Sequence, residues 1–138
     1  MKCAFELLAF DTLPMNRKMV SLRALLESMV VMNWNFIMSA PPNMPCLKHL
    51  AEEGRVKLNK APSETWLDIP SILTLGSGGP KDYACWQIAE LRNAGEDEVY
   101  PYIKVTQREG GSIWEVKVRH GDFVIDPCVG MQETGASS

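Results

Sequence analysis
The 138-residue chain predicts an α+β domain in which N-terminal helices pack on a small antiparallel sheet. Three observations predict it. Apolar residues recur at helical spacing from Met15 to Met38 and again from Pro80 to Ala94. From Val99 onward the pattern changes to alternation, in VYPYIKVTQ, SIWEVKVRH and DFVIDP. The helices come first and the strands last, an order that gives a meander rather than parallel βαβ units. One core suffices for a chain of this length, so residues 1–131 are read as a single domain and 132–138 as a flexible tail.

Each element has a local reason. Residues 2–10, KCAFELLAF, read as a first strand, with a helix as the other reading. Pro14 suits the first turn of a helix, and Met19, Leu22, Leu26, Met29, Val30, Asn33 and Ile37 then form one stripe, widened by Leu25, Met32 and Phe36, until Pro41 and Pro42 stop it. The five methionines of this helix make an adaptable surface. Met19, Leu22, Leu26 and Met29 are expected in the core, while Met32 and Phe36 contact a partner or the chain's own connection. A helical turn at Leu47 to Glu53 is ended by Gly54. Ser63 with Glu64 caps a turn through Trp66. Asp68 caps a short helix, Ile69 to Leu75, which Gly76 terminates. Gly95 stops the helix that begins at Pro80. Glu109-Gly110-Gly111 and His120-Gly121 join the three strands.

Composition excludes several functions. Fourteen basic and 17 acidic residues give a net charge of −3 without a polybasic stripe, so no direct nucleic-acid contact is expected. The longest apolar run, Met29 to Met38, is interrupted by Asn33 and Asn35 and is shorter than the ~20 residues that span a bilayer. No membrane partner is expected, and the start MKCAFELLAFDTLP lacks the form of a secretory signal. Cys3, Cys46, Cys85 and Cys128 contain no C-x-x-C pair, which predicts free thiols with no metal site and no disulfide frame. Gly-Ser-Gly-Gly at 76–79 is not followed by the Gly-Lys-Ser/Thr of a phosphate loop. No cofactor is expected. His49 and the run Glu96-Asp97-Glu98 read as solvated surface, and Trp66, Trp86 and Trp114 as core anchors.

The segments ETWLDIPSILTLGSGGPKDYACWQIAELRNAGED and VKVRHGDFVIDP resemble a transglutaminase-like cysteine-peptidase family found among tailed-bacteriophage structural genes. The resemblance covers roughly residues 60–128 and implies a transglutaminase or papain-like domain. In that family a cysteine follows the glycine loop, and a histidine and an aspartate lie side by side on neighbouring strands. Aligned through Asp82, Trp86 and the Ala-Glu-Leu-Arg run, the cysteine position falls on Pro80. The histidine position falls on Glu115, and the aspartate on Asp126. A thiol at a helix start is activated by the helix dipole and free N–H groups. Proline keeps the helix start, brings no nucleophile and lacks the N–H an oxyanion hole would use.

If His120-Gly121 is a two-residue loop, Arg119 faces Asp122, Lys117 faces Val124 and Glu115 faces Asp126, with Lys117 and Lys81 as counter-charges. Trp114, Val116 and Val118 then share a face with Phe123 and Ile125, and Pro80 is expected to face the Glu115–Asp126 pair. The alternative is an active thiol hydrolase or transglutaminase-like enzyme in which Cys85, beside Trp86, works with His120 and Asp126 or Asp122.

The resemblance together with the missing nucleophile and base implies a pseudoenzyme. It would be a virion structural protein of the neck, tail or capsid, acting through protein–protein contacts. Its partners would be other virion proteins, met in multiple copies in a symmetric assembly formed in the host cytoplasm.

Overall fold
The computed structural model of the chain describes residues 14–59 and 65–134, and its fold is α+β. The strand read at 2–10 and the cap read at Ser63-Glu64 lie outside the described residues. Helix α1, Met15–Ser39, begins where the Pro14 carbonyl accepts the N–H groups of Arg17 and Lys18, both at 3.0 Å. It ends as Ala40 turns extended ahead of Pro41. Its inner stripe is Leu22, Leu26, Met29, Val30 and Asn33, all buried, with Met19 and Ile37 partly covered. Phe36 packs on the connection that follows, whereas Met32 is 51% exposed.

A short helix α2, Leu47–Glu52, leads to a two-residue strand β1, Lys57–Leu58. Helix α3, Ile69–Leu75, is capped as read: the Asp68 carboxylate accepts the Ser71 N–H at 3.0 Å, and Gly76 closes the helix at φ +77°. That left-handed conformation is open to glycine at little cost. Strand β2, Ser77–Gly78, pairs parallel with β1. A β-carbon on Gly78 would lie 3.2 Å from Ile72 and 3.4 Å from Tyr83, so any larger residue there requires those side chains to give way by a few tenths of an ångström. The glycine-rich stretch therefore serves as helix cap, close crossing and helix start in turn. Glu133 bridges to Leu58, whose N–H donates to the Gln132 carbonyl at 2.7 Å and whose carbonyl accepts the Thr134 N–H at 2.9 Å, so the residues read as the start of a tail lie along β1.

Helix α4, Pro80–Asn93, is the central element, with every residue from Asp82 to Trp86 buried. One side of it, Ala84, Cys85, Ile88 and Ala89, packs with α1 and with the sheet. Tyr83 and Trp86 face a second cluster built from α2, β1 and α3.

The sheet has the order β3-β4-β5, with β3 at Val99–Arg108, β4 at Gly111–His120 and β5 at Phe123–Ile125, all antiparallel. Val99, Ile103, Val116 and Val118 turn to the helices, and the alternating residues Tyr100, Lys104, Glu115 and Arg119 turn away. The predicted register needs correction. The chain reverses at Gly121-Asp122, so Arg119 lies opposite Val124 rather than Asp122, and the β4–β5 ladder ends at Val118 and Ile125, so Glu115 has no partner in β5 and pairs only with Lys104 of β3. Gly121 takes φ +61° in the first loop position, which suits a tight hairpin. A displacement of two residues preserves the alternation, and Val118 still shares its face with Ile125 as read.

Candidate functional site
The helix start that the sequence singled out is a built structure. Pro80 is the first helical residue, solvent-exposed, and supplies no reactive group. Asp82, two residues on, is 1% exposed. One carboxylate oxygen accepts the Gly79 N–H at 2.9 Å and the other accepts the Leu67 N–H at 3.0 Å. Lys81 stands 3.6 Å from Asp82, donates to the Thr65 carbonyl at 2.8 Å and lies over the Trp66 ring, 5.2 Å from its centre. Burial holds the Asp82 carboxyl above its ordinary range, against the lowering pull of Lys81 and the two N–H groups. The helix start thus engages a carboxylate of its own and uses it to fasten the 65–68 segment.

The residues named as vestigial sites do not converge. Glu115 sits on the sheet face turned away from α4, exposed and opposite Lys104, so the expected pairing of Pro80 with Glu115 and Asp126 is not formed. The parity of the strand decides this: Val116 and Val118 occupy the inner face, and their neighbours must point outward. Asp126 accepts the Cys128 N–H at 2.9 Å and closes the turn after β5. Burial, then the Asp126 charge, pushes the Cys128 thiol up to about 12. Among the described residues, Lys117 makes no ion pair with Asp126, and Lys81 is committed to Asp82.

The alternative triad is not assembled either. The Cys85 thiol, 1% exposed, lies 3.6 Å from the Leu26 carbonyl as its donor, within the interface of α1 and α4. Burial drives its pKa far above the ordinary thiol value, with the Asp82 charge acting in the same direction. Such a thiol holds its proton and has no base beside it. His120 ends β4 rather than occupying the loop tip, and its ring nitrogen Nε2 lies 3.3 Å from Glu96. His49 likewise meets Glu53 at 3.3 Å on the surface.

Two polar groups, the buried Asn33 and the part-buried Glu90, escape the sequence reading in their roles. Asn33 belongs to the helical stripe that the sequence predicts, and its side-chain oxygen accepts the Ile69 N–H at 3.0 Å and so serves the first residue of α3. Glu90 accepts the Leu47 N–H at 2.8 Å and the Trp86 indole N–H at 3.1 Å, and burial raises its pKa. A polar residue inside an apolar stripe is the signal that both leave in the sequence. No group of three or more metal-ligating side chains forms among the described residues, and no described helix is long and apolar enough to cross a membrane. Compared with known proteins, the chain matches no family model, no curated protein and no solved structure.

Proposed function
We propose that the chain is a structural component of a tailed-phage particle, placed at the neck, tail or capsid and built on a transglutaminase-like frame that has lost its chemistry. It acts by protein–protein contact, in multiple copies within a symmetric assembly. The observation that carries the reading is the start of α4. Pro80 stands where the resemblance calls for a nucleophile, and the groups around it hold the buried Asp82 carboxylate. The remaining thiol on that helix is inert by position: Cys85 is enclosed, keeps its proton and faces a backbone carbonyl. Exposed apolar side chains on the outer side of α1, Val20, Val31, Met32 and Met38, supply surface for neighbours.

Two measurements test it together. On purified particles, the chain is expected to co-sediment at stoichiometric, repeated copy number. On the native protein near neutral pH, a small alkylating reagent is expected to modify exposed Cys46 and to leave Cys85 unmodified until the chain unfolds, as read by peptide mass spectrometry. Rapid selective labelling of Cys85 would overturn the loss of chemistry, and absence from particles would overturn the assembly role.

A further inference from the structure
We infer that a cleft between α2, α4 and the segment after β5 receives a basic side chain, lysine or arginine, from a neighbouring protein in the assembly. The inference rests on the assembly role proposed above and names the chemistry of one contact. The cleft has a volume of about 240 Å³, with Leu47, Ala51, Ile125 and Met131 as apolar walls. Its polar lining is unbalanced. Glu52 and Asp126 bring two carboxylates, and among the described residues neither enters an ion pair. Lys48 is the single cation in the lining, and it is exposed. Gln87 completes the lining from α4, and its side-chain oxygen is buried without a hydrogen-bond partner.

An apolar stem with N–H donors and a positive charge at its end fits this arrangement. The stem covers the walls, and the head meets two carboxylates that have no cationic partner among the described residues. A wholly apolar side chain would bury the carboxylates further without compensation. An acidic one would meet like charge. The mouth argues for a polypeptide rather than a free amine as the source. Val129 on the lining is 79% exposed, and Phe123, two residues before Ile125 on the same face of β5, is 75% exposed. Residues flanking the inserted side chain would cover both.

The test is a titration of the full ¹⁵N-labelled chain, followed by amide chemical shifts. Three probes are compared: acetyl-Leu-Lys-Leu-amide, the same peptide with norleucine for lysine, and 1,5-diaminopentane. The lysine peptide is expected to shift the amides of Leu47, Ala51, Gln87, Ile125 and Met131 and to bind more tightly than either other probe. Asp126→Asn and Glu52→Gln are each expected to weaken it by about threefold, the size of a partly exposed ion pair, with the spectrum otherwise unchanged. Asparagine retains an oxygen for the Cys128 N–H, so the turn survives the first change. Equal binding of the norleucine peptide, equal binding of the diamine, indifference to both substitutions, or no shift at the cleft each overturns the inference. A negative titration with normal incorporation into particles removes this inference alone. Absence from particles removes the assembly role instead.

Discussion
Asp82 shows what a buried charge does in this fold. Its two oxygens hold the N–H groups of Gly79 and Leu67, and truncation to alanine would leave both without that acceptor. We expect Asp82→Ala to destabilise the chain by about 2–4 kcal/mol, measured by urea unfolding. The pH dependence has the opposite sense to that of an ordinary ion-paired carboxylate. Desolvation holds the folded-state pKa of Asp82 above its ordinary value of 3.8 and outweighs Lys81 and the N–H donors. The folded chain therefore binds this proton more readily than the unfolded chain. The stability it contributes is complete below pH 3.8 and is lost as the pH rises through the folded-state value. Wild-type unfolding free energy minus that of Asp82→Asn is expected to fall as pH rises from about 4. A rise over the same interval would mean that the hydrogen bonds outweigh burial at this site.

The helices and the sheet are coupled through Arg92 near the end of α4. Its guanidinium meets Glu27 of α1 with two parallel hydrogen bonds, at 2.8 and 2.9 Å, and also donates to the Val99 carbonyl at the start of β3. The fork geometry is specific to arginine. Because the two side chains are 18% and 35% exposed, screening limits the pair. A double-mutant cycle of Glu27→Gln and Arg92→Lys is expected to give a coupling of about 0.5–1.5 kcal/mol. A coupling near zero would leave apolar packing as the tie between α1 and α4.

These elements also show what could be read from the residues alone. The limits of α1, α3 and α4 are written in local chemistry, at Pro14, at Asp68 and Gly76, and at Pro80, and the structure places them within a residue or two of the reading. The β4–β5 register is not fixed by pattern, because turns at His120-Gly121 and at Gly121-Asp122 give the same alternation. The Gly121 N–H bond to the Glu98 carbonyl, which local pattern does not carry, accompanies the observed turn. Strands β1 and β2, two residues each, are too short to show any period. At the helix start Pro80 was legible, but Asp82 was not, because its second donor, Leu67, comes from a separate loop.

Two apolar clusters fill the interior, and α4 belongs to both. Leu26 lies at the centre of the cluster between α1, α4 and the sheet, and Leu50 in the cluster under α2 and α3; they are 0% and 2% exposed. The clusters draw on opposite sides of the same helical turns, since Ala84 and Cys85 serve one while Tyr83 and Trp86 serve the other. Unfolding either side strips α4 of half its cover, and a 14-residue helix cannot persist in water on propensity alone. The chain should therefore unfold as one cooperative unit. Leu26→Ala and Leu50→Ala are each expected to lower stability by about 2–5 kcal/mol, and each should move a single transition rather than create a second one. The four tryptophans sample both clusters, Trp34, Trp66 and Trp114 at one and Trp86 in the other, so fluorescence and far-UV circular dichroism should give coincident urea curves in both variants. If Leu50→Ala instead melts the α2–α3 side at low urea while the sheet and α1 stay folded, the clusters are independent. The cleft between α2 and β5 could not then be a rigid receptor, because its two walls would belong to units that move apart.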